Sequence, residues 1–157
     1  MDEELKIYLE KQGIKYSIHE HPATFTVAQS KEIKKIIPGR HTKCLFMKDE
    51  NHNFYLIAIP AEKMLDKNAL KKSLSIKQLV FASPKELNEE LNLAPGSVSI
   101  FGMIHASKTM LIIDNELWAA PIVTFHPNIN IETLELSHES FEKFYNSLAS
   151  KKEVIEL

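Results

Sequence analysis

Residues 42–47 alternate as a strand does, with Thr42, Cys44 and Phe46 on one face and Lys43, Leu45 and Met47 on the other. Both faces are mostly apolar, which predicts a strand buried on two sides. A second apolar run follows over 53–59, after Asp49-Glu50-Asn51-His52-Asn53, and the pair predicts a hairpin. Further runs predict strands over 14–18, 79–82, 110–113, 122–125 and 131–136. Lys43 is the anomaly, because burying an ammonium is costly unless something binds it.

Helical spacing punctuates the strands. Leu5, Tyr8, Leu9 and Gln12 share a face, and Gly13 is a stop signal. Thr26 and Gln29 have capping-box spacing before a helix over 27–36 with Val27, Ile33 and Ile37 as its stripe. Asp66 can cap a helix reaching Leu74, and Ser83-Pro84-Lys85-Glu86 is a strong helix start. Ser137 opens a last helix with Phe141, Phe144, Tyr145 and Leu148 on one side. Pro95-Gly96 is a turn, and 98–104 holds no clear period. Hairpin-spaced strands with inserted helices predict an α+β fold around an antiparallel or mixed sheet.

At 157 residues the chain suits one domain, 1–157, and is short for two. Its 44% hydrophobic and 25% charged residues are a globular balance, and no apolar run nears the ~20 residues of a membrane span. The acidic, amphipathic start is unlike a secretory signal, and a single cysteine excludes an internal disulfide. Together these predict a cytoplasmic protein that does not engage a membrane.

Charge refines the picture. Residues 31–77 hold eleven Lys/Arg against five Asp/Glu, while the remainder holds eight against sixteen. A basic middle suits a polyanion touched locally, with Lys34, Lys35 and Arg40 as its contacts. Solvated lysines on surface helices account for the same numbers.

Candidate chemistry is sparse. Walker loops, G-x-G-x-x-G, H-E-x-x-H and C-x-x-C are all missing from the sequence. Seven histidines lack Cys or carboxylate partners at ligand spacing, so neither metal nor cofactor is expected. Cys44, mid-strand among apolar neighbours, reads as packing. What remains is Lys43, the small-residue turn 94–99, and the strand ends at His21-Pro22 and His126-Pro127. Singly, each has an ordinary explanation: a lysine that snorkels, a turn glycine, a strand-end histidine.

In order along the chain they are more specific. HPATFTVAQS, IPGRHTKCLFMKD, FASPKELNEEL, LAPGSVSIFGMI and FHPN resemble the YbaK/ProX family. These are free-standing relatives of the editing domain inserted in bacterial prolyl-tRNA synthetases. The resemblance runs from about residue 13 to 144 and is strongest to the ProX-type branch, whose members remove alanine from mischarged tRNA for proline. It implies a mixed α/β domain whose central, curved, mostly antiparallel sheet is flanked by helices. It also implies trans-editing: hydrolysis of the ester between a wrong amino acid and the terminal adenosine of tRNA.

The family's lysine falls on Lys43, its glycine loop on residues 96–100 and its histidine on His126, the implied catalytic set being Lys43, Gly96 and His126. Cys44, Leu45, Ser97 and Ile100 are then the implied substrate-binding residues. The implied partners are the acceptor CCA end of a mischarged tRNA and prolyl-tRNA synthetase; a monomer is expected. No general base is implied, since a tRNA hydroxyl can position the attacking water. Two positions depart from the family pattern. Ile100 stands where the loop usually has a φ-locking proline, and Cys44 where the alanine-specific branch often has Asn. A Cys- or Ser-specific deacylase of the same family, and a non-catalytic homologue that binds tRNA or a synthetase, remain alternatives.

Overall fold

The computed structural model describes residues 1–22, 35–129 and 131–157. The helix expected over 27–36, with its cap at Thr26 and Gln29, lies mostly outside the described residues, as does Lys34.

In chain order the elements are α1 (Glu3–Lys11), β1 (Ser17–Glu20), β2 (Arg40–Lys48), β3 (Phe54–Pro60), α2 (Lys67–Leu74), β4 (Val80–Phe81) and α3 (Pro84–Leu91). A 3-10 helix (Ile100–His105) leads into β5 (Thr109–Asp114), α4 (Asn115–Ala119), β6 (Ile122–Phe125), β7 (Glu132–Ser137), α5 (His138–Ser147) and β8 (Lys152–Ile155). The helix starts are set by local side chains. The Asp66 carboxylate accepts from the Ala69 N–H at 3.0 Å. Ser83 and Glu86 form a reciprocal capping box at 2.9 and 3.1 Å, and Ser137 Oγ accepts from the Ser140 N–H. The first strand begins at Ser17 rather than at 14, because Ile14 is drawn into the core and its N–H closes α1 on the Leu9 carbonyl.

The strands form one eight-stranded mixed sheet in the order β1-β7-β6-β2-β3-β5-β8, with β4 attached to β2. Four contacts are antiparallel (β1 with β7, β7 with β6, β2 with β3 and with β4), and three are parallel (β6 with β2, β3 with β5, β5 with β8). Both faces of its middle are covered, so β3 is buried at every position and reads as a continuous apolar run. One core lies under α1, α3, α4 and α5 and joins Leu5, Leu9, Phe101, Phe141 and Phe144 to Phe46 and Leu56. Phe101 meets Phe125 and Phe144 edge-on, so truncating it to Ala costs about 3–5 kcal/mol. The other core packs Met47, Ile57, Ile59 and Ile112 against Leu70 of α2.

One feature of β2 positions the site. Its far edge pairs with β6 at Arg40 and His41 and with β4 at Met47 and Lys48. Among the described residues, 43–45 belong to neither register, and the sheet opens there. The start of β2 comes so close to β6 that a Cβ on Gly39 would lie 2.6 Å from Ile122 Cγ2, and its φ of +101° also favours glycine. Beside the opening, α3 is clamped to β5 by Glu90, a buried carboxylate accepting five hydrogen bonds from Ser107, Lys108 and Thr109.

Candidate active site

The turn 94–99 enters the opening in β2. Its two flanks, Leu93 and Ile100, are buried in the core, and the Ser97 N–H closes it by donating to the Ala94 carbonyl at 3.1 Å. Gly96, at φ +90°, faces open space: a Cβ there would meet nothing within 4 Å. The backbone is thus pinned at its ends and bare at its tip.

Thr42, Lys43, Cys44, Gly96, Val98, Phe125 and His126 line a cavity of about 220 Å³ at this place. Lys43, Cys44, Gly96 and His126, all implied by the sequence resemblance, therefore meet. Leu45 lines an adjoining apolar groove of about 300 Å³ that shares Cys44, Gly96 and Val98. Ser97 and Ile100 line neither space, Ser97 serving the turn and Ile100 the core. Thr42 and Phe125 carry no role in the sequence reading, and Val98 enters it only as a member of the turn 94–99. Each is next or nearly next to a residue that has one, and Thr42 ties β2 to β6 by donating to the Thr124 carbonyl at 2.7 Å.

Electrostatics separate the lining groups. Lys43 is half-buried, and among the described residues no carboxylate lies within ion-pairing distance of it. His126 Nδ1 lies 3.2 Å from the Glu132 carbonyl oxygen, so Nδ1–H donates and Nε2 is left as an acceptor. Burial depresses the His126 pKa, positive charge on His21 and His41 depresses it further, and the Glu132 carbonyl opposes them. The His21 ring sits 6.3 Å from that of His126 and is held by Thr133 Oγ1 at 2.8 Å from its Nε2. Burial pushes the Cys44 thiol up to about 12, against a hydrogen bond from the Ile100 N–H. With His126 neutral and Cys44 a thiol, Lys43 supplies the formal charge of the lining.

Such a cavity can hold an acyl group beside a fixed cation, which stabilises negative charge on a carbonyl oxygen or a phosphate. Partial burial raises the worth of that cation above a surface lysine's. His126 Nε2 can accept a proton-bearing donor such as water or a hydroxyl. Among the described residues, no group of three His, Cys, Asp or Glu is placed to hold a metal ion. Nor is any described helix long and apolar enough to cross a membrane.

The basic segment is less free than its composition suggested. Arg40 pairs with Glu62 at 2.7 Å and Glu116 at 3.1 Å. Lys63 reaches Asp114 at 2.8 Å, and Lys48 reaches Glu86 at 3.0 Å. Lys35 is exposed on the approach to β2.

Residues 21–144 match the family model of the aminoacyl-tRNA editing domain. The prolyl-tRNA editing protein ProX of Acetoanaerobium sticklandii is 28% identical over 152 residues, covering 95% of this chain and 93% of that protein. The prolyl-tRNA synthetase associated domain-containing protein 1 of Mus musculus is 27% identical over 148 residues, 88% of each chain. A solved structure described as a candidate trans-editing enzyme for prolyl-tRNA synthetase shares the fold, with TM-score 0.77 and 20% identity over 100% of this chain and 98% of that one. The matched segment contains every residue that lines the cavity, and the chain belongs to the aminoacyl-tRNA editing domain family.

Proposed function

We propose that this protein is a trans-editing aminoacyl-tRNA deacylase that cleaves the ester of a mischarged tRNA, alanyl-tRNA for proline above others. The observation that carries this reading is Lys43: a half-buried cation on a rigid strand, facing a bare glycine turn across a cavity of about 220 Å³. The names of two relatives, a prolyl-tRNA editing protein and a prolyl-tRNA synthetase associated protein, support the same substrate class.

The chemistry follows from the lining. The aminoacyl carbonyl sits by Gly96, where a Cβ would obstruct the approach. Water adds to the carbonyl carbon, and the oxyanion or the adjacent phosphate faces the Lys43 ammonium. The C–O bond then breaks, releasing the free amino acid and the ribose hydroxyl. The proton of the attacking water is steered by a ribose hydroxyl of the substrate, with neutral His126 Nε2 as an acceptor nearby. Cys44, held as a thiol, takes no part as nucleophile. The setting in this proposal is a monomer in the cytoplasm, working alongside prolyl-tRNA synthetase.

Deacylation of tRNA for proline charged with alanine, serine, cysteine or proline tests the reading. Alanyl-tRNA is expected to be hydrolysed fastest. Preferred release of cysteine or serine would shift the substrate, and no release from any of the four would leave a tRNA-binding homologue without activity. Light scattering during chromatography checks the monomer.

A further inference from the structure

Phe81 is 65% exposed, an unusual state for a large aromatic ring on a strand of two residues. It pairs with Met47 in the antiparallel β2–β4 register. Phe81 therefore stands beside Met47 at the edge of β2. It forms one wall of the apolar groove whose other walls include Leu45 and Leu87. That groove runs into the catalytic cavity through Cys44, Gly96 and Val98, which line both. Lys43 and Met47 are four residues apart on β2, about 13 Å at ~3.3 Å per residue.

We infer that this groove receives the 3′-terminal base of the tRNA and that Phe81 is the surface on which the base stacks. The inference rests on the deacylase reading, since the occupant is fixed by covalent connection: one ribose joins the ester to that base. An acyl group held between Lys43 and Gly96 leaves its ribose at the shared wall and its base in the adjoining groove. Among the described residues, no side chain lining the groove carries a strong hydrogen-bonding group. Side chains therefore leave the base edges unread, and recognition is chiefly by stacking and shape. The exposed ring on a short edge strand, otherwise a liability for edge-to-edge association, thereby has an occupant.

The test places 2-aminopurine at the 3′ end of uncharged tRNA for proline, where stacking quenches its fluorescence. Wild type at saturating concentration is expected to quench it, Phe81→Tyr to retain the effect, and Phe81→Ala to lose most of it. With alanylated tRNA, Phe81→Ala should lower kcat/KM about 5- to 100-fold, the loss of one stacked base. The same factor should be missing from wild type on a substrate with an abasic 3′ nucleotide, and Phe81→Ala should add no further loss there. A terminal guanine should be accepted nearly as well as adenine. Equal quenching by wild type and Phe81→Ala, no quenching by either, or a Phe81→Ala penalty that persists on the abasic substrate would overturn the assignment. Quenching needs no hydrolysis, so an inactive wild type that still quenches through Phe81 would strike the deacylase reading and leave the base subsite standing. Circular dichroism confirms that each variant is folded.

Discussion

The Ile100 N–H is directed at the Cys44 sulfur, joining the start of the 3-10 helix to the middle of β2. A proline at 100 has no N–H to give, so isoleucine there supplies a donor to the half-buried thiol at 44. Burial holds that thiol up to about 12, far above any working pH. Because the thiolate is the nucleophilic form, Cys44→Ala should keep turnover within about tenfold of wild type, or ~1.4 kcal/mol. Iodoacetamide should leave the native enzyme active. Complete loss in either experiment would place the thiol in the chemistry.

Lys43→Ala tests the cation directly. Removing one preorganised group that faces developing negative charge costs about 10²–10³ in kcat. The side chain is half-buried and, among the described residues, has no ion-pair partner to leave stranded. The melting temperature should therefore change little while deacylation nearly vanishes. A folded variant with near-native rates would remove Lys43 from the mechanism.

How much of this was legible in the sequence depends on whether the signal was local. The hairpin of β2 and β3 and the caps at Asp66, Ser83 and Ser137 were readable, because turn and cap chemistry lies within a few residues. The 3-10 helix at Ile100–His105 was not, since its run is buried on several sides and shows no period. Nor were α4 and β8: the first is five residues long, and the second exists by parallel pairing with the distant β5. Lys43, Gly96 and His126 stood out only in their order along the chain. The opening that unites them is the gap on one edge of β2 between its pairings with β6 and with β4, which no single segment encodes. Phe81 lay inside an apolar run expected to form a strand, and only the sheet shows it to be at an exposed edge.

His126 should make stability depend on pH in a definite sense. Its folded pKa lies below the ordinary value near 6.5, chiefly through burial and then through charge on His21 and His41. The unfolded chain therefore binds more protons in the window between the depressed value and about 6.5. Stability is full above that window and falls as pH drops through it. Thermal melts from about pH 7.5 to 5 should show a decline that is shallower in His126→Gln, the difference between the two isolating this group from the other histidines. Parallel declines would mean that His126 titrates normally.

Arg40 is exposed but shared between Glu62 and Glu116, an arrangement that contributes only about 0–1 kcal/mol to stability. It also lowers the field that a phosphate would meet. Replacing Glu62 and Glu116 together with Gln should tighten tRNA binding and steepen its salt dependence by about one phosphate contact. Lys63 keeps Asp114 as partner in that variant. Replacing Lys34, Lys35 and Arg40 with Gln should act in the opposite direction. Salt slopes unchanged in both variants would move the tRNA-binding face elsewhere.

Specificity should rest on size and shape. An editing site cannot reject a smaller ligand by clash, but it can reject a ring-constrained one. The cavity is about 220 Å³, with Val98 and Phe125 as apolar walls and Gly96 at the turn. Alanine fits with its free ammonium, serine brings a hydroxyl that must compete with water for Thr42 or His126, and proline brings a ring and a secondary amine. Alanyl-tRNA for proline should be cleaved at least about ten times faster than prolyl-tRNA, ~1.4 kcal/mol of discrimination. Ile100 bears on this through the backbone, since its side chain is buried in the core. Ser99 before it is extended, and Ile100 opens the 3-10 helix, so the chain there admits a proline. Ile100→Pro should lower stability by about 1–3 kcal/mol, through lost core volume and the lost donor to Cys44. It should at the same time raise the deacylation rate, because a locked φ holds the turn at Gly96 in place. A slower Ile100→Pro enzyme would mean that the turn is built around isoleucine, and comparable hydrolysis of prolyl-tRNA would defeat the size argument.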